Sequence, residues 1–177
     1  MKHSFAFYIT LIFTLLLISP ITQCNGSTRK LSESFLSLTC RKASDFGFCA
    51  YTLGSDPRGK TTDVDGLAQI ALDKLAAQVK GTISYLQRQD SADPVVGSCL
   101  QFYRTADSKV YPSAVGSLNN KAYGAAKQAT RAVMNHGHGC QVRVDQSPSP
   151  KWQMLTSMNK VVHDLSQLSS DLIGLKG

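Results

Sequence analysis

The chain has 177 residues, 42% of them apolar, with 19 Lys and Arg against 12 Asp and Glu. That length suits one domain with a real core. Its basic residues are scattered and aromatic residues do not interleave with them, which excludes a nucleic-acid-binding surface, while the modest positive balance points to an acidic or anionic partner.

At the amino terminus, Lys2 and His3 precede an apolar run from Phe5 to Ile18, which Pro20 breaks ahead of Thr22, Cys24 and Gly26. This reads as a signal peptide over residues 1–24, with a second cleavage position after Gly26. The run is shorter than the ~20 residues that span a bilayer, so it is not read as a retained anchor, and no later segment is a membrane span. The expected product is one exported domain, residues 25–177. Asn25-Gly26-Ser27 is a glycosylation sequon, available if the leader is cut before it.

Cleavage after Cys24 leaves four cysteines, Cys40, Cys49, Cys99 and Cys140, an even count that implies a disulfide framework in an exported chain. Of three possible pairings, spacing favours Cys40 with Cys49 and Cys99 with Cys140. Each pair is centred on a turn, Ser44-Asp45-Phe46-Gly47 and Asn119-Asn120, and an antiparallel helical hairpin at either turn brings its two sulfurs level.

Two short amphipathic segments come first, residues 31–40 (Leu31, Phe35, Leu38) and 45–53 (Phe46, Phe48, Leu53), neither stable alone. Gly54-Ser55-Asp56-Pro57-Arg58-Gly59 is a turn. From a start at Thr62 or Asp63, Leu67, Ile70, Ala71, Leu75, Val79, Ile83 and Leu86 mark the buried face of a long helix. Asp93-Pro94 opens the next, with Val96, Cys99, Tyr103, Ala106, Val110, Ala114 and Leu118 inward and a bend or short break at Pro112 that frees a carbonyl near Ser108. Asn119 or Asn120 is expected to cap a third helix that buries Ala122 or Tyr123, Ala126, Thr130, Val133 and Met134 and ends at Gly137. After Gln146-Ser147-Pro148-Ser149-Pro150, a last helix carries Leu155, Met158, Val162, Leu165, Leu168 and Leu172. The expected fold is all-α: an up-down-up-down four-helix bundle with an N-terminal helical hairpin and two disulfides.

The chain holds no catalytic constellation. It has no Gly-x-Ser-x-Gly elbow, phosphate-binding glycine loop or paired-carboxylate cleft. His163 and Asp164, adjacent on a helix, are expected to point to different faces. His136-Gly137-His138-Gly139-Cys140 lacks a second ligand group at zinc spacing, so neither metal nor cofactor is expected. The function is therefore binding.

The stretch from Cys40 to Cys49, then Leu53-Gly54-Ser55-Asp56-Pro57-Arg58, Asp63, Gly66-Leu67-Ala68 and Ile70-Ala71, resembles the amino-terminal signature of the plant invertase and pectin methylesterase inhibitor family. Cys99, Tyr103, Ala106, Leu118, Tyr123, Ala126, Cys140 and the stretch Asn159 to Ser166 continue the resemblance over nearly all of the exported domain. It implies a non-enzymatic four-helix bundle that forms a 1:1 complex with a carbohydrate-active enzyme in the apoplast and cell wall, or in the vacuole. Asn120-Lys121-Ala122-Tyr123-Gly124-Ala125-Ala126 resembles the pectin methylesterase inhibitors, the slightly favoured class, although Gln101, Thr105 and Ser108 stand where those often carry acidic residues. Tyr111-Pro112 and Val162-His163-Asp164-Leu165-Ser166 resemble the invertase inhibitors. Many of these place Pro-Lys-Phe where this chain has Asn120-Lys121-Ala122, keeping the lysine alone.

The expected contact face comprises Gln101, Arg104, Thr105, Lys121, Lys127 and Arg131 on the second and third bundle helices. His136, His138 and His163 are candidates for a response to acidity. A non-inhibitory extracellular helical binding protein and a small lipid carrier are the rival classes.

Overall fold

The computed structural model describes residues 34–177. The expected leader, Cys24, the Asn25 sequon and Leu31 lie outside the described residues. Among the described residues the regular structure is helical.

A short hairpin of α1 (Phe35–Cys40) and α2 (Phe46–Gly54) comes first. The oxygens of Ser34 and Asp45 accept from the backbone N–H groups of Ser37 and Phe48, satisfying donors that each first turn leaves open. Cys40 and Cys49 are fully buried and bonded, with Cα atoms 5.5 Å apart. The expected inner face of the hairpin is corrected: Phe35, Leu38 and Phe46 are about half exposed, while Thr39, Cys40, Cys49, Thr52 and Leu53 face inward. The disulfide sets the rotation of two helices too short to set it by their own stripes.

The turn that follows is a 3₁₀ segment, Pro57–Lys60. The Asp56 carboxylate caps it and receives a two-point contact from Arg58, Nε to Oδ1 at 3.0 Å and Nη2 to Oδ2 at 2.9 Å. The remaining Arg58 nitrogen reaches Asp73 Oδ2 at 2.9 Å, tying the turn to the next helix. Gly59 is obligatory here, since a Cβ would stand 2.3 Å from the Leu53 carbonyl oxygen.

Four helical columns then form the bundle. The first is α3 (Val64–Leu86), capped by Asp63. The second starts at Asp93-Pro94 as expected and runs through α4 (Pro94–Thr105), a π-helical turn (Ala106–Val110) and α5 (Tyr111–Asn119). The third is α6 (Tyr123–Gln146), and the fourth, α7 (Gln153–Gly174), follows a 3₁₀ turn, Pro150–Trp152. The expected interruption at Pro112 is the π turn: proline excludes the carbonyl four residues back, Ser108, and the wider turn accommodates the loss.

Paired contacts give the column directions. Cys99 bonds Cys140, and Phe102 lies against Gly139, so α4 and α6 run antiparallel. Gln141 meets Asn159 while Lys127 meets Gly174, so α6 and α7 do too. Gln78 meets Met158 and Tyr85 meets Lys151, so α7 runs antiparallel to α3. This is the up-down-up-down bundle. Its core joins Leu67, Ile70, Leu75 and Val79 with Val96, Tyr103, Ala114, Val133, Leu155, Val162 and Leu172.

Two helix ends depart from expectation. Gly137 does not end α6, which continues to Gln146 and carries Cys140 within it. Gly137 serves close approach instead, since a Cβ there would stand 3.1 Å from Val162 Cγ1 and 3.5 Å from the Tyr103 hydroxyl. Asn119 and Asn120 cap nothing that follows. Asn119 ends α5, Asn120 is its C-cap, and α6 begins behind Ala122 with no side-chain cap. Met134 and Met158 are half-buried rather than core.

Candidate functional site

The turn between the second and third columns closes with two crossed hydrogen bonds, Ala122 N–H to Ser117 O at 2.8 Å and Lys121 N–H to Leu118 O at 2.9 Å. This is a Schellman ending, whose penultimate position is left-handed and usually glycine. Here it is Lys121, at φ 57°, the one non-glycine residue with positive φ among the described residues. Its exposed side chain has no hydrogen-bond or ion-pair partner among them.

The turn is braced from behind. Tyr123, the first residue of α6, donates its hydroxyl to Asp65 Oδ2 at 3.1 Å, and Lys176 Nζ approaches the same oxygen at 3.6 Å. Burial, followed by the Asp65 carboxylate, holds the Tyr123 phenol above its ordinary pKa, so it remains a donor.

The six expected contact residues divide. Gln101, Arg104 and Arg131 are exposed on α4 and α6, and neither arginine side chain has a partner among the described residues. Thr105 is half-buried and spends its hydroxyl on the Gln101 carbonyl at 2.9 Å. Lys127 lies along α7, its Nζ 2.8 Å from where a Cβ would stand at Gly174, which sets the ammonium at the negative end of that helix. At a rise of ~1.5 Å per residue, Arg104 and Lys121 lie roughly 25 Å apart along the bundle, and Arg131 returns about 15 Å from the turn.

The sequence missed a buried polar relay. Tyr103 of α4 donates to Asn159 Oδ1 of α7 at 2.6 Å, and Asn159 Nδ2 donates to Gln141 Oε1 of α6 at 2.8 Å. Asn159 is only 4% exposed. It sits four residues after Leu155 and three before Val162, on the apolar stripe itself, and that placement was the readable signal. Burial raises the Tyr103 pKa well above the ordinary phenol value, keeping the hydroxyl protonated.

Beside this relay a groove of about 340 Å³ opens between α6 and α7, lined by Gly137, His138, Gln141, Thr156, Asn159, Lys160 and His163. His163 and Asp164 do not diverge as expected. Their Nδ1 and Oδ1 atoms are 3.4 Å apart, too long for a strong hydrogen bond, and Asp164 mainly engages Lys160. His136 lies on the other flank, its ring 6.0 Å from that of Phe102, and burial lowers its pKa. Among the described residues there is no cluster of three or more metal-ligating side chains, and no helix is long and apolar enough to cross a membrane.

A family model described as plant invertase/pectin methylesterase inhibitor matches residues 34–173. "Cell wall / vacuolar inhibitor of fructosidase 1" of Arabidopsis thaliana is 26% identical over 140 residues, 77% of this chain and 66% of that protein. "Pectinesterase inhibitor" of Actinidia deliciosa is 31% identical over 128 residues, 71% of this chain and 63% of that protein. The chain thus spans just under two thirds of these two relatives. A crystal structure of a mutant form of a pectin methylesterase inhibitor from Arabidopsis covers 80% of this chain and 97% of its own, with a TM-score of 0.69 at 20% identity, which shows the shared fold. With a family match that reaches from the N-cap of α1 to the last turn of α7, the chain belongs to the plant invertase/pectin methylesterase inhibitor family.

Proposed function

We propose that this protein is an exported inhibitor that occludes the active-site cleft of a plant carbohydrate-active enzyme in a 1:1 complex, with pectin methylesterase the favoured target. The observation that carries this reading is a disulfide-braced helical surface that presents Arg104, Arg131 and Lys121 without partners of their own. A rigid, disulfide-braced backbone loses little freedom on docking, so more of the attraction between its cations and an acidic cleft appears as affinity over an interface of ~1,600 Å². The 31% identity to a protein named as a pectinesterase inhibitor supports the favoured target. The reading places the protein in the cell wall, with the vacuole as the alternative compartment.

A cell-wall or vacuolar invertase is the second reading, favoured by one feature. Lys121 stands at the tip of a strained, braced turn, as a probe for a catalytic carboxylate pair would. Relatives named as fructosidase and putative invertase inhibitors agree with it.

Purified protein titrated separately against a pectin methylesterase and an acid invertase is expected to inhibit the esterase. Inhibition of the invertase alone reassigns the target, and inhibition of neither overturns the reading. Lys121→Glu combined with Arg131→Glu is expected to weaken inhibition at least about tenfold with an unchanged circular dichroism spectrum. Lys127 is left out of that variant, since a carboxylate at the end of α7 would oppose its dipole.

A further inference from the structure

None of the six candidate contact residues lines the groove between α6 and α7. Its volume, about 340 Å³, falls at the small end of the ~300–1,000 Å³ range of ligand cavities.

Donors dominate its polar lining. Asn159 is buried and fixed in orientation, because the Tyr103 hydroxyl occupies its carbonyl oxygen and Gln141 accepts one amide hydrogen. A carboxamide has a second N–H, and no described residue accepts it. Lys160 brings an ammonium with three N–H donors, of which Asp164 takes one. His138 and His163 each add a ring N–H, and Thr156 adds a hydroxyl.

No carboxylate lines the groove, and the nearby acids have other engagements. Asp145 accepts from Gln141, Asp164 holds Lys160 and approaches His163, and Asp45 caps α2. A ligand that matches this lining brings acceptors, and Lys160, bridged to Asp164 through one of its three N–H groups, keeps two for a carboxylate. The rest of the wall is imidazole and aliphatic surface, which fits the C–H face of a saturated ring better than a bare acid.

We infer that the groove between α6 and α7 binds a small, ring-bearing, hydroxylated carboxylate, a sugar acid in chemical class. The carboxylate pairs with Lys160 and His163 at the mouth, and ring hydroxyls accept from the exposed His138 and from the buried Asn159 deeper in. The Tyr103–Asn159–Gln141 relay holds the inner donor in place before the ligand arrives, so no side chain there has to be ordered on binding.

The test is a titration of ¹⁵N-labelled protein, followed by NMR, with D-galacturonate, D-galactose and acetate as probes. D-Galacturonate is expected to give saturable shifts centred on His138, Gln141 and Asn159, with galactose and acetate each at least about tenfold weaker. Lys160→Ala and His163→Ala are each expected to weaken galacturonate binding several-fold. Both residues are exposed, so the variants keep the fold, which their unchanged spectra elsewhere would verify. Absence of saturable shifts overturns the inference, as does equal binding of galactose or full binding by both variants. Inhibition is not a readout, so this test stands or falls apart from the proposed function.

Discussion

Lys121 occupies a backbone conformation that costs an L-residue roughly 1–2 kcal/mol relative to glycine. Glycine would satisfy the same crossed hydrogen bonds without that cost, so the turn itself does not require a lysine. Lys121→Gly is expected to raise stability by about 0.5–1 kcal/mol in urea unfolding while weakening inhibition of the target. A variant that gains stability and inhibits as well as the parent would leave the lysine without a role in binding.

Asp56 offers a second test at this scale. Its hydrogen bonds with Arg58 depress its pKa from 3.8 to about 2. A carboxylate depressed in the folded state contributes stability above its unfolded pKa and loses it as pH falls through the folded value. The turn Asp56–Lys60 is therefore expected to loosen between about pH 4 and pH 2, seen as faster amide exchange at Gly59, and Asp56→Asn should abolish that pH dependence.

At the scale of elements, glycines within helices serve opposite ends. Gly81 in α3 faces open space, so Gly81→Ala is expected to gain about 0.5–1 kcal/mol from helix propensity alone. Gly137 has Val162 and the Tyr103 hydroxyl at the limit of contact. Val162 is fully buried and stiff at its branched carbon, and Tyr103 is fastened to Asn159. Overpacking of about 1–3 kcal/mol then outweighs the propensity gain, and Gly137→Ala is expected to lower stability by roughly 1 kcal/mol. Chemical unfolding midpoints of the two variants should shift in opposite directions. The same packing explains why Gly137 fails as a stop signal: a glycine pressed between helices is read as a breaker only when its neighbours are unknown.

For the whole molecule, the two disulfides brace different things. Cys99–Cys140 closes a separation of 41 residues between two columns, and Cys40–Cys49 closes only 9 within the hairpin. In the chain-entropy model these contribute about 4 and about 3 kcal/mol respectively. Replacing Cys99 and Cys140 together by alanine is expected to lower global stability, read by calorimetry. Replacing Cys40 and Cys49 together is expected to release the hairpin first, read as exchange confined to α1, α2 and the Ser44 amide, which now donates to Asp171 at 2.7 Å.

Local pattern settled much of this molecule in advance. The apolar stripes of α3 and α7, the Asp63 and Asp93 caps, the interruption at Pro112 and both cysteine pairings follow from spacing alone, because each depends on neighbours within a few turns or on one hairpin. Of the candidate site, Lys121 and the two arginines were legible as exposed cations. Tertiary structure alone decided the left-handed turn under Lys121, the Asp65–Tyr123–Lys176 brace, the diversion of Lys127 to α7, and the groove where Asn159 meets Tyr103 and Gln141. Those features join residues tens of positions apart, and hydrophobic periodicity, which follows one helix at a time, does not say which polar side chains meet once the columns close.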